Sequence, residues 1–222
     1  MNTVADAVAE VRGRIDAAAR RAGRDAAEVT LVGATKQVRA DRLAEALDAG
    51  LRDLGENRAQ ELLAKAPLLA TRRVPPRWHF LGRLQRNKVA ALASLVTRWQ
   101  SVDREALGAA IARRAPGATV LVEVNLGDEP QKGGCPPEET GALVATLREL
   151  GLEVDGLMTV PPLDAEPRRS FAMLRELAER LALPQLSMGM SADFEVAVEE
   201  GATIVRVGRA IFGPRDGEAR DG

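Results

Sequence analysis

Apolar residues in this chain fall into short continuous runs, and between the runs they recur every three or four positions. Val29-Thr30-Leu31-Val32-Gly33-Ala34-Thr35 is one such run, and Thr119-Val120-Leu121-Val122-Glu123-Val124-Asn125 is the clearest by composition. Runs this short and this apolar suit parallel strands buried on both faces. The intervening stretches carry helical spacing, as in Val4, Val8, Val11 and Ile15, or Leu43, Ala46 and Leu47. In order, the pattern predicts strands at 29–35, 51–55, 77–81, 97–102, 119–125, 153–159, 185–188 and 203–207. Helices are predicted at 3–22, 40–49, 58–69, 85–95, from an N-cap at Asp103 to 114, and at 138–150, 167–182 and 192–200. Gly23, Gly50 and Gly201 stand where helices should stop.

Strict alternation of strand and helix implies an α/β protein with a parallel sheet. A count of eight favours a closed (β/α)8 TIM barrel over an open doubly wound sheet. The whole chain, 1–222, reads as a single domain near the lower size for such a barrel, roughly 200 residues. No second domain is expected after the eighth unit, and the polar tail 214–222 is expected to fray.

Composition narrows the picture. The chain is 45% hydrophobic, enough for one sizeable core. Its 31 basic and 32 acidic residues leave a net charge of −1, so no general attraction to nucleic acid or to an anionic membrane is expected. A single cysteine, Cys135, excludes an internal disulfide, and with a single histidine, His79, no metal site is expected. The N-terminal stretch lacks the apolar core of a secretory signal, and no window reaches membrane-spanning length. A soluble, cytoplasmic monomer is the expectation.

In a barrel of this type, chemistry sits at the carboxyl ends of the strands. Lys36 ends the first strand. Partial desolvation there would favour its neutral amine, a nucleophile toward carbonyls; the plain alternative is a lysine reaching water. Ser187-Met188-Gly189-Met190-Ser191 follows the seventh strand and Gly208-Arg209 the eighth. Phosphate sites are often built from these two loops, with Ser191 adding a hydroxyl and Gly208 allowing close backbone approach. Arg206 lies within an apolar strand and needs a polar pocket or a partner, such as Glu56 or Glu123. His79 in Trp78-His79-Phe80 reads more simply as a satisfied core histidine than as a catalyst, and Cys135 as a spare surface thiol. A strand-end lysine opposite a phosphate cup suits pyridoxal 5'-phosphate (PLP), or a phosphorylated sugar in a Schiff-base aldolase.

Motifs along nearly the whole chain resemble those of the pyridoxal phosphate homeostasis proteins, single-domain relatives of the alanine racemase barrel domain. They are Ala34-Thr35-Lys36; Asp53-Leu54-Gly55-Glu56-Asn57 with Gln60-Glu61; Trp78-His79-Phe80-Leu81-Gly82 with Leu84-Gln85 and Asn87-Lys88; Ser101-Val102-Asp103; and Val124-Asn125 with Lys132 and Gly134. They continue with Gly156-Leu157-Met158, Ser187-Met188-Gly189-Met190-Ser191 with Asp193, and Val205-Arg206-Val207-Gly208 with Ala210-Ile211-Phe212-Gly213. The resemblance implies PLP held on Lys36 as an aldimine. It implies phosphate contacts from Ser191, Gly208 and Arg209, Arg206 facing the pyridine nitrogen, and Asn57 and His79 lining the pocket. Thr35 stands where the family often has serine, and Arg209 where it often has threonine or serine, so a hydroxyl contact to phosphate would pass to a backbone amide or the guanidinium.

An arginine at the pyridine nitrogen weakens the ring as an electron sink, and racemisation needs a second acid/base opposite the lysine. In the racemase relatives that group is a tyrosine from the partner's second domain; this chain has no tyrosine. The expected role is therefore a non-catalytic PLP carrier, with PLP-dependent apo-enzymes as partners. The alternatives are an amino-acid racemase using His79 as base, and a Schiff-base aldolase acting on sugar phosphates.

Overall fold

A computed structural model of the chain describes residues 3–127, 133–162 and 166–214. Lys132 and all but the first residue of the 214–222 tail lie outside the described residues. Eight parallel strands close into a barrel in chain order. They are β1 (Thr30–Ala34), β2 (Asp53–Glu56), β3 (Arg77–Phe80), β4 (Val96–Val102), β5 (Thr119–Glu123), β6 (Glu153–Met158), β7 (Gln185–Ser187) and β8 (Ile204–Val207). The helices are α1 (Val4–Arg21), α2 (Ala40–Asp48), α3 (Ala59–Ala70), α4 (Val89–Leu92), α5 (Glu105–Arg114), α6 (Thr140–Glu149), α7 (Pro167–Arg180), α8 (Phe194–Glu199) and α9 (Arg209–Phe212). The (β/α)8 barrel expected from the apolar pattern is the fold.

Closure joins β8 to β1, with Val32 opposite Arg206 and Gly33 opposite Val207. Helix α1 covers this seam. Thr3 caps it through a reciprocal box with Asp6, and Val4, Val8, Val11 and Ile15 form its buried stripe. It packs against α2, α8 and α9. Arg14 lies 4.6 Å from the centre of the Phe194 ring and pairs with Glu195, and Arg24 donates to the carbonyls of Val198 and Ala202.

Most of the core lies between the strands and the helices, and a small separate cluster, Val32, Leu121, Met158 and Ile204, packs on its own. The polar side chains of His79, Gln100, Ser187 and Arg206 are buried too. Gln100 on β4 bonds Ser187 on β7. Those strands are not neighbours, so this bond crosses the barrel lumen.

Three local expectations need correction. Asp103 is not the cap of α5: Arg104 occupies that position, and the Asp103 carboxylate pairs with the Arg104 guanidinium. The predicted 85–95 helix is a 3-10 turn at Arg86–Lys88 followed by the single turn of α4, whose buried residues are only Val89 and Leu92. Cys135 is not at the surface. It is buried, its backbone exchanges hydrogen bonds with Glu123 and Asn125, and burial pushes its thiol pKa up, which makes it unreactive.

Candidate functional site

Lys36 follows β1 directly and is half-buried. It makes no hydrogen bond or ion pair to another described residue. The backbone on both sides of it is held firmly. Buried Lys65, on α3, donates to the Thr35 carbonyl at 2.7 Å, to Glu56 at 2.7 Å and to Glu61 at 2.8 Å. The Thr35 hydroxyl donates to the same Glu56 oxygen at 2.7 Å. Glu61 in turn accepts from the Gln37 N–H at 2.8 Å, which fixes Gln37 at φ 60°, a left-handed conformation uncommon outside glycine. The lysine left without a partner is thus mounted on a loop clamped by an ionic triad.

Lys36 opens on a cavity of about 800 Å³ at the carboxyl ends of the strands. Asn57, Ser191, Arg206, Gly208 and Arg209 also line it. The loops after β7 and β8 meet there, where the Ser191 hydroxyl accepts from the Ala210 N–H at 3.3 Å. The N–H groups of Ser191, Ala192, Gly208 and Arg209 have no acceptor among the described residues. Four open amides plus a serine hydroxyl make a cup for an oxyanion. Gly208 also has a structural reason to be glycine. A Cβ there would meet the Ala34 carbonyl oxygen at 3.1 Å, so its bareness lets the β8 turn close on β1.

Arg206 is fully buried, and neither Glu56 nor Glu123 is its hydrogen-bond partner. It donates to the Ser187 hydroxyl at 2.7 Å and to the Thr159 carbonyl at 2.8 Å. Burial lowers its pKa to about 10. Glu56 is committed to Lys65 and Thr35. Glu123 has its pKa raised to about 7 by burial and by neighbouring Asp103, and it makes no side-chain hydrogen bond among the described residues. His79 does not line the cavity. It is buried among the strands, between Asp53 at 3.1 Å and Gln100 at 2.5 Å, and burial lowers its pKa. The structure therefore groups Lys36, Asn57, Ser191, Arg206, Gly208 and Arg209 around one cavity and sets His79 apart from them. Sequence reading overlooked Lys65 and Gln100, and it named Glu61 in a motif without giving it a role. Lys65 had a visible mark: it occupies the apolar face of α3, in register with Leu62, Ala66 and Leu69.

A parallel barrel with an open lysine after β1 and an anion cup after β7 and β8 is a barrel of the alanine racemase type: the family described as alanine racemase, N-terminal domain, matches residues 8–216. The chain is 42% identical over 226 residues to the pyridoxal phosphate homeostasis protein of Pseudomonas aeruginosa, covering 97% of each chain. It is 45% identical over 222 residues to that of Aquifex aeolicus, covering 94% of this chain and 96% of the other. Among solved structures, PipY of Synechococcus elongatus without PLP superposes with a TM-score of 0.85 at 33% identity, and its PLP-bound form with 0.81 at 31%; each match covers 95% of this chain and 100% of PipY. Alanine racemase of Clostridium difficile, at 16% identity and a TM-score of 0.68, shares the fold over 93% of this chain and 56% of its own. The chain belongs to the family of pyridoxal phosphate homeostasis proteins.

Proposed function

We propose that this protein binds pyridoxal 5'-phosphate in the Lys36 cavity and holds it reversibly, without turnover of its own. The observation that carries the reading is the sharing of one cavity by a lysine amine and a cup of amides that have no partner among the described residues. The residues fit the group: Lys36 would take the aldehyde, while Ser191, Gly208 and Arg209 would hold the phosphate. Asn57 would line the ring site, and Arg206 would lie at the pyridine nitrogen. The names of the relatives and the PLP-bound form of PipY support the same ligand.

When bound, PLP supplies an electron-withdrawing ring. The side chains of this protein do little to exploit it. Arg206 is a donor-only cation, so it opposes protonation of a ring nitrogen beside it. Racemisation requires an acid/base facing the lysine. The chain contains no tyrosine, and both ring nitrogens of His79 are already hydrogen-bonded away from the cavity. Lys36 is left to bind and release, a role that suits delivery of the cofactor to PLP-dependent apo-enzymes.

The test is direct. Purified protein mixed with PLP should develop an imine absorbance band, and Lys36→Ala should abolish it. A wild-type protein without the band overturns the ligand. A chiral assay over several amino acids, showing loss of optical activity at an enzyme-like rate, overturns the carrier role.

A further inference from the structure

Among the described residues Arg206 has no carboxylate within hydrogen-bonding distance, although it is buried. Its hydrogen bonds lead away through the lumen instead. Arg206 Nη1 donates to Ser187 Oγ at 2.7 Å. Ser187 Oγ donates to Gln100 Oε1 at 2.5 Å. The Gln100 amide nitrogen lies 2.5 Å from His79 Nδ1, and His79 Nε2 lies 3.1 Å from Asp53 Oδ1. The fork of Arg77 grips the Asp53 carboxylate at 2.8 and 2.6 Å.

The ends of this chain dictate its middle. A guanidinium only donates, and an ionised carboxylate only accepts. Hydrogen bonds from His79 and Arg77 hold the Asp53 carboxyl below its ordinary pKa despite burial, so it stays ionised. Ser187 must therefore accept from Arg206 and pass its own proton to Gln100. The amide then presents its nitrogen to His79, whose proton must sit on Nε2, toward Asp53. A second proton on Nδ1 would face the Gln100 NH2 group, donor against donor. Turning the amide over would aim its NH2 at Ser187 and leave the serine proton, which Arg206 cannot accept, without its acceptor.

We propose that Gln100 and His79 are positioning residues for Arg206: a one-way hydrogen-bond chain anchored on Asp53 holds the guanidinium at the cavity and requires His79 to be neutral, with its proton on Nε2. Charged groups around the imidazole agree with this. Arg77 on β3 and Arg98 on β4 oppose a positive ring, and Asp53 on β2 is the only one of the three that favours it. Arg98 is itself paired with Asp155 at 2.7 Å. The role at the cavity rests on the PLP reading above; the proton order does not.

His79 is the only histidine of the chain, so ¹⁵N-histidine labelling gives one pair of ring signals. The ligand-free protein should show the Nε2–H tautomer, persisting at pH values below the ordinary histidine range. Gln100→Glu replaces the facing donor by an acceptor and should convert the ring to imidazolium at neutral pH. Gln100→Met should weaken PLP binding about tenfold, as expected for the loss of one polar link, and should change the pH profile of the Lys36-dependent band. If Gln100→Met does not fold, Ser187→Ala cuts the same chain one link away and is read identically. An Nδ1–H tautomer, or a ring left neutral by Gln100→Glu, overturns the proton order. Unchanged affinity and band profile in Gln100→Met overturn the positioning role. A wild type with no band overturns the PLP reading, and the role at the cavity with it, while the tautomer still decides the proton order.

Discussion

Around Thr35, the Lys65 ammonium meets two carboxylates directly, Glu56 at 2.7 Å and Glu61 at 2.8 Å. In the lumen, the Arg206 cation and the Asp53 anion are separated by three neutral side chains, Ser187, Gln100 and His79. Both arrangements are largely withdrawn from solvent, and both support a side chain of the cavity, Lys36 in one case and Arg206 in the other. The first sets opposite charges in direct contact and so can hold a backbone in a strained turn. The second leaves the guanidinium with only neutral acceptors, which keeps its charge available to the cavity. Direct ion pairing therefore goes with a clamped backbone, and relayed pairing with a side chain that lines the cavity.

The largest effect should come from breaking the direct network. Lys65→Met leaves Glu56, which is fully buried, without its cation. Loss of one partner of a buried pair costs about 3–5 kcal/mol, which urea denaturation would measure. Adding Glu56→Gln to that variant should recover part of the loss; no recovery would mean that packing by the Lys65 stem, and not its charge, matters there. Breaking the relay should cost less. Gln100→Leu leaves His79 Nδ1 and the Ser187 hydroxyl proton unpaired, for about 1–3 kcal/mol. A loss as large as that of Lys65→Met would erase the distinction between the two networks.

Glu123 belongs to neither network, and it sharpens the contrast through pH. Its pKa in the folded protein is raised from 4.5 to about 7, so the fold binds this proton more tightly than the unfolded chain does. Stability from this group therefore grows as pH falls from about 7 toward 4.5. Glu123→Gln should stabilise the protein at pH 8 by on the order of 1–2 kcal/mol, with the gain shrinking as the medium is acidified. His79 works in the opposite sense. Its pKa is lowered by burial, so its contribution is present above the ordinary histidine value and is lost as pH falls from that value through the lowered one. Smallest of all, Gln37→Gly relieves the left-handed backbone at φ 60° but adds freedom to the unfolded chain. A thermal melt should move by the equivalent of less than about 1 kcal/mol.

The barrel was readable because its information is local. Each strand is a short apolar run, each helix an apolar stripe, and their alternation leaves few topologies. The ring of strand ends followed from the same reasoning, which is why Lys36, Ser191 and Gly208 could be placed together before any coordinates. The networks beneath them were not readable to the same degree. Gln100 sits in Trp99-Gln100-Ser101-Val102, where all four residues are buried, and period-two alternation cannot say which faces the lumen. Its partners His79 and Ser187 are on β3 and β7, brought together only by closure. Asp103 had the composition of a helix cap, but an adjacent arginine claimed its carboxylate. Such pairings depend on long-range geometry, which spacing along the chain does not encode.

The seam between β1 and β8 has a consequence for biosynthesis. Lys36 lies just past the first strand, and Arg206 and Gly208 lie in and just past the last, with Val32 directly opposite Arg206. As the ribosome extends the chain, the amine is made with the first strand and the groups that complete its cavity arrive only with the eighth. A truncated product therefore carries the lysine without the cup. A ligand that binds only the closed barrel stabilises finished molecules and no others. If the cavity holds the aldehyde cofactor as proposed, its occupancy then doubles as a certificate that the barrel has closed.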